Sequence, residues 1–454
     1  MSGKGICVVG AGTSGLAMCR ELARRGVEVE CFEAGSEVGG NWRIDNDSGR
    51  SAAYESLRTN VSRRRMQYPS TPMPRGYGDF VGHRDMAGYL AEYADRHGLR
   101  RHIRLGTEVL RAAPHPVGGW EVTTRSRDGV EMTRTYAALV VATGKDANPR
   151  VPDIPGQFEG SLLHSRDYRR PDAFAGLRVL VVGASNSGCD VASEVSGVAA
   201  STDMAVRRGT HVLPRHLFGR PIDALNGPGA SRMPWRLQQR MFERMLRLAR
   251  GRYAQWGWPE PDHPVLSDTP AVSATILARI RDGAVRLRRA QPVAFEGSTV
   301  RFDNGESAEY DAVILATGYR LAFPFLDDDV SARLEVDDNT IPLYRHIVPP
   351  KVDALYFIGI CDPHAGHPPV VEAQAAWIAD VLQGRIAVPR GTTDAPQRRV
   401  VQRFPRLRAN SLLIDRFGYP RLLASDRRGG RRNGQREATG RGLGAPTTMG
   451  DAEA

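Results

Sequence analysis

Short apolar runs alternate with amphipathic stretches along most of the chain. The runs Ile6–Val9, Ala138–Ala142 and Val179–Val182 have the length and the β-branched content of buried strands. A helical pattern of apolar positions follows the first and the third of these runs. Strands that alternate with helices indicate parallel sheets joined by crossover helices. The pattern therefore predicts an α/β protein.

A strand, a glycine-containing turn and a helix occur together twice, which divides the chain. Residues 1–155 contain the first copy and residues 156–305 contain the second. Short strands and an alanine-rich helical stretch return in residues 306–424, which we expect to complete the first domain with C-terminal helices. Residues 425–454 are rich in Gly, Arg, Ala and Thr and poor in apolar residues. They are predicted to be a disordered tail, because they cannot bury enough surface to offset the entropy of ordering.

Composition and charge exclude several classes of protein. No uninterrupted apolar stretch of about 18 residues occurs, which excludes a membrane-spanning helix. The apolar strand begins too early for a signal peptide, so we expect a cytoplasmic protein. The five cysteines form no CxxC pair, which excludes a dithiol redox centre and a zinc finger. The net charge of +11 comes mainly from arginines without interleaved aromatic residues, so no nucleic-acid partner is expected.

The first glycine-rich turn lies between a strand and a helix. Gly10, Gly12 and Gly15 have the spacing in which one glycine makes a tight turn, one admits a pyrophosphate, and one lets the helix pack on the strand. The phosphates, beside Ser14, would meet the positive end of the helix. Glu33 ends the next strand, where a carboxylate can accept hydrogen bonds from ribose hydroxyls. These features predict a dinucleotide site.

The second turn carries the opposite charge at the corresponding strand end. Its predicted binding residues are Gly183, Ser185, Asn186, Ser187 and Gly188. Arg207 and Arg208 stand where Glu33 stands in the first copy, and a guanidinium can bind a 2′-phosphate that a carboxylate would repel. The contrast predicts FAD at the first turn and NADPH at the second, unless the arginines are only solvated surface charge. The fold expected is two Rossmann-like dinucleotide-binding domains, with the NADPH domain inserted into the FAD domain.

Several further motifs occur together in one order. The segment from Phe158 to Tyr168 reads F-x-G-x-x-x-H-x-x-x-Y. It resembles the identifying sequence of the flavin-containing monooxygenases, which are class B flavoprotein monooxygenases. Other segments that resemble this family are Gly39-Gly40-Asn41-Trp42-Arg43, Leu57-Arg58-Thr59-Asn60, Met66-Gln67-Tyr68-Pro69 and Ala316-Thr317-Gly318-Tyr319.

The resemblance implies an NADPH-dependent, FAD-containing monooxygenase similar to dimethylaniline monooxygenase. A C4a-hydroperoxyflavin, formed with O2, would oxygenate the nitrogen or sulfur of a small organic substrate. The resemblance adds Gly40, Trp42, Thr317 and Gly318 to the cofactor-binding residues. Asn60 is the expected catalytic residue and also contacts the cofactor, since a neutral amide donates a hydrogen bond without acidifying a peroxide. The alternative for Asn60 is that it caps its loop.

Other reactions remain open from the sequence. Tyr168 stands where Baeyer–Villiger enzymes usually have tryptophan, which favours heteroatom oxygenation over ketone oxygenation. The segment Ala205–Phe218 also resembles plant auxin-forming monooxygenases, which implies oxidative decarboxylation of an indole 2-oxo acid as an alternative. A non-catalytic nucleotide-binding redox sensor is a third option. His364 and His367 form an HxxH pair without a third ligand, so no metal site is expected.

A basic amphipathic stretch lies within residues 231–252. Arginines four positions apart alternate there with apolar residues, which predicts a helix with one charged face. The helix could pack on the NADPH domain, cap the substrate tunnel, or contact an anionic membrane surface. Its role, the substrate and the oligomeric state are not predicted.

Overall fold

The computed structural model describes residues 5–225, 233–363, 366–389, 412–415 and 417–440, with side chains described as far as residue 429. The helices, α1 to α8, are Thr13–Arg24, His83–Arg96, Asn186–Val195, Trp235–Arg250, Ile276–Arg281, Asp328–Leu334, His367–Leu382 and Gly418–Gly440. The strands, β1 to β23, are Ile6–Val9, Val29–Phe32, Ile103–Arg104, Thr107–Pro114, Trp120–Ser126, Glu131–Tyr136, Ala138–Val141, Gly156–Phe158, Ser161–His164, Arg178–Val182, Ser201–Ala205, Val212–Leu213, His216–Leu217, Arg220–Pro221, Ala271–Val272, Arg286–Arg288, Pro292–Gly297, Thr299–Phe302, Ser307–Glu309, Ala312–Leu315, Leu355–Phe357, Asp362–Pro363 and Leu413–Ile414.

The first domain is built on a parallel sheet in the order β21-β7-β1-β2-β3. Successive residues of β1 face opposite sides of this sheet. Val8 packs in the core formed with α1 and α7, whereas Cys7 and Val9 pack in the core beneath the antiparallel strands β4, β5 and β6. Because both faces are covered, β1 reads as an unbroken apolar run rather than an alternating one.

The second domain is built on a parallel sheet in the order β16-β11-β10-β20-β9. An antiparallel layer of β17, β18 and β19, extended by β8, covers one face, and α3 covers the other. Strand β7 precedes this whole domain in the chain and β21 follows it, yet the two strands are neighbours in the first sheet. The predicted insertion of one Rossmann-like domain into another is therefore confirmed.

The predicted boundary at residue 305 is set too early. Strand β20 lies beyond that boundary but pairs with β10, with Val179 opposite Ala312. All four residues of β20 are buried, so the strand is an interior member of the second sheet. The chain returns to the first domain only after this strand.

The predicted tail is also corrected by the structure. Helix α8 begins at Gly418 and continues into the predicted tail, so the start of that tail is helical rather than disordered. Its first turns are anchored, because Leu423 is buried and Asp426 accepts hydrogen bonds from Arg345 at 2.9 Å and from Trp377 at 3.2 Å. The remaining residues of the predicted tail, 441–454, lie outside the described part of the chain.

The predicted basic helix forms as α4. Phe242 and Leu246 are buried against a cluster that includes Ile222 and Val265, whereas Leu248 is 82% exposed. The helix therefore packs on the second domain through one face. In the part of the chain that the structure describes, no helix has the length and apolarity needed to cross a membrane.

Candidate active site

The two glycine-rich turns have the same backbone geometry. Gly10 and Gly183 have φ angles of +100° and +113°, a region that L side chains rarely adopt. A Cβ atom on Gly15 would lie 1.8 Å from the carbonyl oxygen of Gly10, and one on Gly188 would lie 2.1 Å from that of Gly183. The last glycine of each turn is therefore required for the helix to approach the strand, as the spacing predicted.

A cavity of about 650 Å³ lies against the first turn, and we call it the first-domain cavity. The predicted residues that line it are Gly10, Gly12, Ser14, Glu33, Gly40 and Trp42. The Glu33 carboxylate accepts hydrogen bonds from the backbone N–H groups of Ala11 at 2.7 Å and Gly35 at 2.9 Å. Burial raises the pKa of Glu33, and these two hydrogen bonds oppose the increase. The carboxylate is thus fixed at the strand end where the ribose is expected.

A second cavity, of about 610 Å³, lies between the domains, and we call it the junction cavity. The predicted residues that line it are Trp42, Asn60, Ser185, Asn186, Ser187 and Gly318. Asn186 also accepts a hydrogen bond from the N–H of Val272 at 2.7 Å, which ties the second turn to the far wall. Leu213, Phe242 and Met245 make that wall largely apolar.

The two cavities share a wall. The residues that line both are Asn41, Trp42, Met66, Lys145, Asp146 and His367. Trp42 reaches this position because Gly39 and Gly40 turn the chain sharply, with φ angles of +120° and +55°. A ring system bound in the first cavity would therefore face a ligand in the second across this wall.

Lys145 places a fixed positive charge at the shared wall. Its Nζ lies 3.1 Å from Asp362 Oδ1 and 3.5 Å from Asp146 Oδ1. Burial opposes the charged form, but the two carboxylates outweigh it and raise the pKa of Lys145 above its ordinary value. Lys145 was not among the site residues predicted from the sequence. Its position could have indicated a role in the site, because Lys145 directly follows Ala142-Thr143-Gly144 at the end of a buried strand.

Asn60 lines the junction cavity from a loop whose conformation is fixed by hydrogen bonds of its neighbour Thr59. Thr59 donates from its hydroxyl to the carbonyl of Val61 at 2.8 Å and accepts from the N–H of Val81 at 2.9 Å. Among the described residues, the Asn60 side chain has no hydrogen-bond partner and is half-buried. Thr59 rather than Asn60 fixes the loop, which leaves the amide of Asn60 available to a ligand.

Not every predicted binding residue lines a cavity. Arg207 and Arg208 follow β11 at the same sheet edge as the second turn, but both are exposed and lie outside the lining of the two cavities. Arg208 Nη2 lies 3.7 Å from Asp268 Oδ2. The 2′-phosphate contact stays a prediction. Thr317 also lies outside the lining, and its hydroxyl donates to the carbonyl of Arg150.

The identifying motif lies where the domains meet. The ring of His164 makes an edge contact with Tyr319 at 5.2 Å between centroids. The hydroxyl of Tyr168 donates to Glu194 of α3 at 2.9 Å. The chain crosses between the domains twice at this point, and the crossings are joined by a hydrogen bond from the N–H of Arg150 to the carbonyl of Gly318 at 2.9 Å. The motif positions α3, which bears the second turn, relative to the first domain.

Comparison with known proteins agrees with this geometry. The family described as flavin-binding monooxygenase-like matches residues 3–399. Flavin-containing monooxygenase 5 of Oryctolagus cuniculus is 33% identical over 407 residues, which are 86% of this chain and 75% of that protein. The S-allyl-L-cysteine S-oxygenase of Allium sativum has a similar structure, with a TM-score of 0.67 and 26% identity over 93% of this chain and 88% of that one. Cyclohexanone monooxygenase from Rhodococcus sp. Phi1, bound to NADP+, shares the fold, with a TM-score of 0.70 and 17% identity over 94% of this chain and 98% of that one.

Two nucleotide turns that face each other across a shared wall define a two-cofactor flavoprotein oxidoreductase. The chain belongs to the flavin-containing monooxygenase family. The predictions of a monooxygenase and of FAD and NADPH as its cofactors are confirmed by this membership. The fit of the residues supports it, since a Cβ on the last glycine of either turn, Gly15 or Gly188, would displace the helix from the phosphate position.

Proposed function

We propose that this protein uses NADPH and O2 to oxygenate a nitrogen or sulfur atom of a small organic substrate. NADPH, a proton and O2 are consumed, one oxygen atom bonds to the substrate, and the other leaves as water. The observation that carries the proposal is the shared wall, because it brings the ends of two separate nucleotide sites to one place. The oxygen-transfer route expected from the resemblance is part of this proposal.

The residues around the shared wall have complementary roles. FAD, when bound, supplies the redox and oxygen chemistry that side chains lack. Asn60 offers an amide donor from one side, and Lys145 offers a cation that stays charged at working pH. The apolar wall from α4 excludes water from the reacting atoms, which suppresses loss of the activated oxygen as H2O2.

Nitrogen and sulfur are favoured over carbon by the names of two similar proteins. One relative is a dimethylaniline monooxygenase described as N-oxide-forming, from Pan troglodytes, and is 30% identical over 413 residues. The garlic enzyme is named for S-oxygenation. Ketone oxygenation and decarboxylation of an indole 2-oxo acid are the competing outcomes of the test. A cytoplasmic location also stays a proposal.

The test follows the fate of the oxygen. Purified protein is loaded with FAD, reduced with NADPH without oxygen, and mixed with ¹⁸O2 and one of four substrates: a tertiary amine, a thioether, a ketone or a 2-oxo acid. We expect ¹⁸O in an N-oxide or sulfoxide, with about one product per NADPH consumed. Label only in an ester, or carbon dioxide release from the 2-oxo acid alone, would refute the proposal in favour of an alternative.

A further inference from the structure

One carboxylate in the junction cavity lies apart from the charged cluster at the shared wall. Asp223 stands in the short turn Ile222–Leu225, on the side of the cavity that Phe242 and Met245 also line. The other aspartates of the cavity, Asp146 and Asp362, are both within reach of the Lys145 ammonium. Among the described residues, Asp223 is therefore the aspartate of this cavity that is not paired with Lys145.

The position of Asp223 is fixed by hydrogen bonds, and in the described part of the chain no basic side chain forms an ion pair with it. Its Oδ2 accepts hydrogen bonds from the N–H of Ser62 at 2.8 Å and from the Ser62 hydroxyl at 2.9 Å. Its Oδ1 is buried and has no hydrogen-bond partner among the described residues. Arg58, the arginine that lines the cavity, donates instead to the carbonyl of Phe80 at 3.3 Å. A carboxylate at the wall of a largely apolar cavity is unfavourable without a cation beside it, and the positive charge of a bound ligand would reduce that cost.

The distance to the reacting end of the cavity limits the size of such a ligand. Ser62, which holds Asp223, is two residues from Asn60 in the same loop. The Cα atoms of Asn60 and Ser62 can therefore be at most about 7 Å apart. An ammonium at Asp223 and a reacting atom near Asn60 would therefore be separated by a short alkyl chain.

We propose that Asp223 binds the ammonium group of the substrate, so that a neutral sulfur or second nitrogen a few bonds away lies toward Asn60 and is oxygenated. This inference rests on the proposed function and adds the substrate class, namely small thioethers or amines that carry a separate cationic ammonium. The Asp223 carboxylate takes no part in bond making. It is a specificity-determining residue for the cationic group.

A matched pair of thioethers tests the inference. 3-(Methylthio)propan-1-amine and butyl methyl sulfide have the same sulfur and the same chain length, but one ends in an ammonium and the other in a methyl group. A charge-assisted hydrogen bond favours the amino compound by about tenfold or more in kcat/KM. In Asp223→Asn we expect this ratio to fall to near or below one, through a higher KM for the amino compound, with butyl methyl sulfide changed by less than about twofold.

The controls separate charge from folding. Asp282→Asn removes an exposed carboxylate from the same domain, where it pairs with Arg281, and should leave the ratio unchanged. Ser62→Ala removes one hydrogen bond to Asp223 but keeps the charge, so the preference should weaken without being lost. A wild-type ratio at or below one, or an undiminished ratio in a folded Asp223→Asn protein, would overturn the inference. Oxygenation of neither sulfide would instead count against the proposed function.

Discussion

Replacing Gly188 by alanine should slow the reduction of bound FAD by NADPH, while FAD binding survives. The added Cβ would lie 2.1 Å from the carbonyl oxygen of Gly183, and real Cβ atoms essentially never come closer than 3.0 Å to another heavy atom. The first turn of α3 must therefore move by roughly 1 Å, and a displacement of this size can cost about 100-fold in rate when it misplaces a reactant. We expect anaerobic flavin reduction by NADPH to slow by about that factor.

The matched variant is Gly15→Ala, whose Cβ would lie 1.8 Å from the carbonyl of Gly10 in the first turn. This protein should be purified without flavin colour, whereas Gly188→Ala should retain its FAD absorbance. Gly88→Ala provides the control, because a Cβ there meets no atom within 4 Å. Normal reduction of Gly188→Ala by NADPH, or loss of FAD from it, would refute the assignment of the two turns.

Three further predictions concern charge and hydrogen bonding. Arg207→Glu should raise the KM for NADPH at least tenfold while changing that for NADH little, and equal losses with both would place the 2′-phosphate elsewhere. Tyr168→Phe removes the hydrogen bond to Glu194 and should cost about 1.5–3 kcal/mol of stability, measured by chemical unfolding, together with weaker NADP+ binding. Asp203→Asn should cost about 2–4 kcal/mol at pH 7, because Asp203 is buried and bonded to Arg286 and Arg288. Burial favours the protonated form of Asp203, but the hydrogen bonds from the two arginines outweigh it and lower the pKa of Asp203. The stability that the ionised carboxylate gives the fold is therefore present above about pH 4 and is lost as the pH falls further. A loss of stability in Asp203→Asn that persists in acid would contradict this reasoning.

The local parts of the site could be predicted from the sequence, because they depend on residues close together in the chain. The glycines of both turns and the carboxylate of Glu33 belong to single strand–turn–helix units, in which spacing alone fixes the geometry. Lys145 also follows a predicted strand, but its partner Asp362 is more than 200 residues away. No local pattern indicates that the two side chains meet.

Long-range pairing also explains the two errors in the domain assignment. Strand β20 is an apolar run that could have joined either sheet, and only its register with β10 decides between them. The start of α8 reads as a polar tail, but Asp426 meets Arg345 and Trp377 from distant segments. Asp223 had no signal at all, since it lies in a stretch without a transferable motif and becomes distinctive only through Ser62.

The two adjacent crossings between the domains have a consequence for biosynthesis. The inserted unit has all of its sheet strands once Leu315 has left the ribosome, whereas the surrounding unit still lacks β21 and α7. Domains generally fold as units during translation. The inserted unit can therefore fold first, while β7 of the surrounding unit has an unpaired edge until β21 is made. A chain that ends between residues 316 and 354 should therefore bind a nicotinamide nucleotide but no flavin.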